Sequence, residues 1–416
     1  MDTFRKVRAV GAAVLAVGLT VTALTACSSA GSSTSGKRGV YTFWDPYPQY
    51  TESSAWNNLV DKCGTENGVT INRTGYDTTA LSTKALLAGQ QNTSPNILLV
   101  DNPVVSTLQA AGILTDTSQN GLSTGKISKN IIGAGVVNGK TYGVPIGANT
   151  LALYYNPTVL QAAGVDPSSI TNWSSLTAAL AKVKAIGKEG ITFSGINTEE
   201  GSFQFLPWFW GAGAKLTSLD SAEGVAALSL LTNWVKDGYA PNSVINATQT
   251  TAWQEFQTGN VAFAENGTWQ KASAAQMGAK VITIPAENGG AAPVPTGGEF
   301  FTIPVQKDTS TYKTSAAIVQ CLTSDKNIVG TDNTLNYISA TQAGQAAQLA
   351  ADPTLKPWVD AVRVAKARTG DNLGTKYPVI SQQLWTALNS ALSGSVTPQA
   401  AMQAAQTAAQ NALPGK

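Results

Sequence analysis

Short apolar runs rich in β-branched and aromatic residues alternate along this chain with longer segments whose apolar residues recur every three or four positions, and that alternation restricts the fold to α/β layers. Val40-Tyr41-Thr42-Phe43-Trp44 is the first such run, and Asp45-Pro46-Tyr47-Pro48 after it is turn chemistry. The spacing predicts a helix over 53–63 with Trp56, Leu59, Val60 and Cys63 on one face, a strand at 69–71, and a second helix carrying Leu81, Ala85, Leu86 and Ala88. Asn96-Ile97-Leu98-Leu99-Val100 is almost wholly apolar, the signature of a strand buried on both faces, and a helix over 104–111 stops at Gly112. After Tyr142-Gly143-Val144-Pro145 the pattern restarts, with strands at 151–155, 191–193, 261–263 and 281–284 and helices over 174–186, 223–236 and 250–257. Residues 286–299 read as loop, 301–305 as strand and 315–322 as helix. Ser381 is placed to cap a helix with Leu384, Trp385, Leu388 and Leu392, and Thr397-Pro398 opens the last one after Gly394.

The N-terminus carries a cationic head (Arg5, Lys6, Arg8), an apolar stretch from Ala9 to Leu24, and Leu24-Thr25-Ala26-Cys27. This reads as a cleaved secretory signal, and the apolar stretch falls short of the ~20 residues a spanning helix needs. It resembles a bacterial lipoprotein signal. The resemblance implies that residues 1–26 are removed, that Cys27 is acylated, and that the protein works outside the cytoplasmic membrane, anchored to its outer face. Residues 27–38, rich in Ser and Gly, then form a flexible tether.

Without residues 1–26 the chain holds 24 Lys plus Arg against 24 Asp plus Glu, so it has no net field to attract nucleic acid. Histidine is absent, which excludes Ser-His-Asp, Cys-His and His-bearing zinc sites. Beyond Cys27 only Cys63 and Cys321 remain, without metal-ligand spacing; they can form one long-range disulfide or stay as two buried thiols. Neither a metal nor another cofactor is expected. Asn138-Gly139-Lys140-Thr141 mimics the end of a phosphate loop, but the required first glycine would fall at Ala134.

The order of motifs is similar to that of the extracellular solute-binding proteins of ABC importers, in particular the group that binds sugars. The resemblance rests on Phe43-Trp44-Asp45, Pro95 to Asp101, Gly112-Ile113-Leu114, Asn138 to Pro145, Leu153-Tyr154-Tyr155-Asn156 and Thr171-Asn172-Trp173-Ser174. It continues through Phe256-Gln257-Thr258-Gly259, Asn266-Gly267-Thr268-Trp269 and Gly297-Gly298-Glu299-Phe300. It implies a two-lobed, periplasmic-binding-protein-like (Venus flytrap) α/β fold whose hinge is crossed three times, near 147–149, 299–302 and 339–342. The first lobe would be 39–147 plus 302–340 and the second 148–301 plus 341–416. Cys63 and Cys321 would then share a lobe, which favours their pairing. The implied role is that of a monomeric, non-enzymatic receptor that captures a neutral sugar or oligosaccharide in the cleft and delivers it to an ABC permease.

Pyranose rings offer flat C–H faces that suit aromatic rings, and hydroxyls that need fixed polar partners. Trp44 and Tyr47 lie at a strand's C-terminal end beside Asp45, where ligands bind in open α/β sheets. The family resemblance points to Trp269 as a stacking residue, to Phe203 among the cluster Phe203, Phe205, Trp208, Phe209 and Trp210, and to Tyr377. The polar candidates are Asp45, Asp101, Asn102, Asn149, Glu299 and Arg368, because a carboxylate or guanidinium can bind two vicinal hydroxyls at once. Each has a structural alternative: strand-end caps for Asp45 and Asp101, a hinge hydrogen bond for Asn149, a solvated loop for Glu299 and an ion pair for Arg368. A rival reading, an extracytoplasmic glycan-acting enzyme, needs two carboxylates about 5–10 Å apart across a cleft. Glu199-Glu200, taken as an extended segment, would point to opposite sides and not serve. A third reading keeps the fold but changes the ligand to a polyamine or another non-sugar solute.

Overall fold

An apolar run such as 97–100 is buried on both faces only when other layers cover both sides of its sheet, and the computed structural model, which describes residues 39–370 and 373–413, has that arrangement twice. The signal, the tether and the acylation expected at Cys27 lie outside the described residues. The strands are β1 (Gly39–Asp45), β2 (Val69–Gly75), β3 (Ile97–Asp101), β4 (Val136–Val137), β5 (Lys140–Thr141), β6 (Val144–Pro145), β7 (Leu151–Tyr155), β8 (Glu189–Thr192), β9 (Val261–Gly267), β10 (Lys280–Ile282), β11 (Pro295–Thr296), β12 (Glu299–Thr302) and β13 (Lys366–Ala367).

The first sheet has the order β2-β1-β3-β12-β6, with β1 parallel to β2 and β3, and β12 antiparallel to β3 and β6. Alternation along β3 sends Ile97 and Leu99 into a core with Phe43, Trp56, Val60 and Val319, and Leu98 and Val100 into one with Leu81, Leu108 and Phe300. Helix Ala55–Glu66 starts at Ser54, whose side chain accepts from the Asn57 N–H, and buries Trp56, Val60 and Cys63. Cys63 is disulfide-bonded to Cys321 on helix Thr311–Leu322.

The second sheet has the order β10-β7-β9-β8. It repeats the two-faced burial: Leu151 and Leu153 of β7 join a core with Leu176, Phe209 and Leu384, while Ala152 and Tyr154 join one with Trp253 and Trp358. The architecture is bilobed, one lobe on each sheet.

Three backbone segments run side by side between the lobes. Ala148 pairs with Ile338, and Asn149 with Gly297, each pair exchanging two backbone hydrogen bonds of 2.7–3.3 Å. Gly147 passes so close to Asp332 that any Cβ there would collide with its carboxylate.

Several element boundaries differ from expectation. β12 begins at Glu299, paired with Asp101, and ends at Thr302 before Pro304, so 299–301 belong to the first sheet and the second passage lies at Gly297–Gly298. Within the expected loop, β11 pairs in parallel with β13. Ser381 is not a cap: helix Tyr377–Leu392 begins one turn earlier because Pro378 fits its first turn. Glu199 and Glu200 are not extended but open helix Glu199–Gly211, where acidic side chains complement the helix dipole.

Helices Ala55–Glu66 and Thr311–Leu322 are joined across a sequence separation of 258 residues, so replacing both Cys63 and Cys321 by Ser should lower unfolding stability by about 2–4 kcal/mol. Urea denaturation of the two proteins measures it; equal midpoints would contradict a stabilising crosslink.

Candidate functional site

A cavity of about 920 Å³ opens where both sheets present their loops to the hinge. Its aromatic walls are Phe203, Trp269 and Trp385, and its charged residues are Asp101, Glu199, Glu200, Glu299 and Arg368. Trp269 follows the end of β9, half-buried, and its ring lies over Gly267, where a Cβ would meet the indole. The Phe203 and Trp269 ring centroids are 6.4 Å apart. Phe203 alone of its aromatic cluster reaches the cavity; Phe205, Trp208, Phe209 and Trp210 are core.

Arg368, 2% exposed, is the central cation. Its Nη1 donates to Glu199 Oε1 at 2.8 Å, its Nη2 to Asp101 Oδ1 at 2.8 Å and to Asn102 Oδ1 at 3.3 Å, and its guanidinium stacks 4.8 Å from the Phe203 centroid. A planar fork with several donors suits this bridging, which an ammonium could not reproduce. Glu199 is held further by the Tyr377 hydroxyl, which donates to Oε1 at 2.6 Å, and by the Ser381 hydroxyl on Oε2. Glu200 Oε2 accepts from the Gln249 backbone N–H at 2.8 Å.

Glu299, at the start of β12, accepts from the Tyr47 hydroxyl at 2.8 Å and from the Tyr337 hydroxyl. Burial, reinforced by the Asp101 charge, pushes its carboxyl up to about 7 despite these hydrogen bonds.

Of the residues nominated from sequence, Asp101, Asn149, Phe203, Trp269, Glu299 and Arg368 line this cavity. Five do not, each for a visible reason. Asp45 is fully buried, clasped by Arg73 through two hydrogen bonds and by Trp56 Nε1 at 2.9 Å. Burial raises its carboxyl and the Arg73 charge opposes that rise. Trp44 packs edge-on against Tyr76, with centroids 5.4 Å apart. Tyr47 is core and spends its hydroxyl on Glu299. Asn102 is buried between Arg368 and the Thr296 carbonyl, and Tyr377 is buried behind Glu199. Sequence reasoning missed Glu199, Glu200, Gln249 and Trp385. Acidic residues in a helix's first turn were the available signal for Glu199 and Glu200, whereas Trp385 shares its stripe with core leucines. Among the described residues no group of three or more cysteine or acidic side chains is placed to hold a metal ion.

Residues 58–357 match the family described as bacterial extracellular solute-binding protein. A binding protein of Brucella abortus (strain 2308) is 28% identical over 145 residues, 33% of this chain and 35% of that one, so the chain matches about a third of that relative's length. The fold is similar to the cyclic α-maltosyl-1,6-maltose binding protein from Arthrobacter globiformis, with TM-score 0.74 and 22% identity over 89% of this chain and 98% of that one. It is also similar to the GacH receptor of Streptomyces glaucescens, with TM-score 0.77 and 23% identity over 90% and 98% of the two chains.

A carboxyl that holds its proton more tightly in the folded than in the unfolded chain stabilises the fold below its ordinary value of 4.5 and loses that advantage as pH rises through about 7. Glu299→Gln stays neutral throughout. Its stability relative to the native protein should therefore rise between pH 4.5 and about 7 and level off above; denaturation midpoints across that range test this, and a pH-independent difference would refute it.

Proposed function

Because the chain belongs to the bacterial extracellular solute-binding proteins, a family that binds its solutes without transforming them, we propose that it captures a sugar or short oligosaccharide between its lobes and presents it to an ABC permease outside the membrane. The observation that carries this reading is the cavity itself: Trp269, Trp385 and Phe203 form aromatic walls, and carboxylates and amides of both lobes, including Asp101, Asn149, Glu200 and Gln249, are interspersed with them. Flat rings take the C–H face of a pyranose, and carboxylates and amides take its hydroxyls. Two structural neighbours, one named for a cyclic maltosyl-maltose and one solved with acarbose, support a saccharide ligand. Acylation at Cys27 would keep the receptor beside its transporter, with residues 27–38 as the tether.

The mechanism follows from the hinge. Short paired backbone segments join the lobes, the kind of junction about which lobes close on a ligand, and Arg368 also spans them through Asp101 and Asn102. A ligand touching Trp269 on one lobe and Asp101 and Glu299 on the other stabilises the arrangement in which both are within reach, and that differential contact favours closure.

A thermal-shift screen over mono- and oligosaccharides should identify a binder, since binding the native state alone raises its apparent stability. With that sugar, small-angle scattering should show compaction at saturation, and Trp269→Ala should weaken binding at least about tenfold, roughly 1.4 kcal/mol. An unchanged scattering profile would remove the closure mechanism, and full affinity in Trp269→Ala would remove the stacking role.

A further inference from the structure

Although the mature chain is electrically balanced overall, its cavity is not. Asp101, Glu199, Glu200 and Glu299 line it, and among the described lining residues Arg368 is the only cation. Arg368 is already committed, its Nη1 to Glu199 and its Nη2 to Asp101 and Asn102. Among the described residues, the partners of Glu200 and Glu299 are uncharged: a backbone N–H for the first and two tyrosine hydroxyls for the second. They come from different lobes, Glu200 from helix Glu199–Gly211 and Glu299 from β12. A second feature points the same way. Arg368 lies over the rings of Phe203 and Tyr377, but among the described residues no cation lies over Trp269 or Trp385, whose indoles are half-buried in the same cavity. Indole faces attract cations more strongly than any other aromatic side chain.

We infer that the cavity selects a saccharide bearing a protonated amine, with Glu200 and Glu299 as the groups that read its charge. This rests on the saccharide reading above and refines the neutral sugar expected from the balanced sequence. Glu200 receives the ammonium by a charge-assisted hydrogen bond, and Glu299, whose carboxyl burial and the Asp101 charge push up to about 7, releases its proton to solvent as the ammonium binds beside it, while the indole faces take the sugar ring and add to the attraction. A hydroxyl in the amine's place would still donate to these oxygens but would forgo the charge.

The test uses matched pairs that differ only by amine against hydroxyl: glucosamine and glucose, galactosamine and galactose, and β-1,4-linked glucosamine di- and trisaccharides against cellobiose and cellotriose. Calorimetric titration of the native protein near pH 6.5, where the amines are protonated, should give at least one pair in which the amine binds about tenfold more tightly or better. That ratio should shrink as ionic strength rises and in both Glu200→Gln and Glu299→Gln. Were Glu299→Gln to misfold, Glu200→Gln and the salt dependence of the native protein still decide the matter. Neutral sugars binding as well as their amines would overturn this inference and leave the saccharide reading standing. Failure of every member of both series would overturn the two together.

Discussion

The lobes meet through backbone pairing at Ala148 with Ile338 and Asn149 with Gly297, and through Arg368, which binds Glu199 on one side and Asp101 and Asn102 on the other. Gly147 is confined there by Asp332 and Tyr337, and Gly297-Gly298 leads directly into Glu299. The segments that bear the hinge therefore also carry Asn149 and Glu299 into the cavity. The hinge segments and the cavity wall are thus the same residues, with no long relay between them. Tyr337 makes the link concrete, since it stands next to the paired Ile338 and donates its hydroxyl to Glu299.

Behind the cavity lies a set of buried polar groups whose work is positional. Asp45 and Arg73 satisfy one another at the end of β1, and Asn102, Tyr377 and Ser381 hold Arg368 and Glu199. Most of their polar atoms are partnered, although Arg368 Nε is buried without one, and removing one member of such a pair commonly costs about 3–5 kcal/mol because the other is stranded. These residues are consequently as constrained as the ones that line the cavity, although they lie behind it.

Much of the layering was legible in the chain. The continuous apolar run in β3 and the alternating faces of β7 announced strands covered on both sides, because burial on two faces leaves no polar alternation to hide the signal. Among candidate site residues, Trp269, Phe203, Asn149, Asp101, Glu299 and Arg368 all line the cavity. Asp45 lies off the cavity because a polar group at a strand end looks the same in sequence whether it faces solvent or a buried arginine, and Tyr47 turns its hydroxyl to Glu299 from the core. Glu199 and Glu200 were misread because the aromatic run after them, interrupted by Pro207, masks the helix that begins there.

Local sequence thus determined which segments are strands and helices, since hydrophobic period, capping residues and turn chemistry act over a few positions. It also determined that histidine chemistry is absent and that residues 27–416 carry balanced charge. Only the tertiary structure decided how that charge is distributed. It brought four acidic residues separated by up to 198 positions, Asp101 to Glu299, around one arginine that two of them already occupy. Electrostatic character at a cleft depends on which side chains converge in space, and convergence is set by the packing of whole layers that no short stretch of sequence can specify.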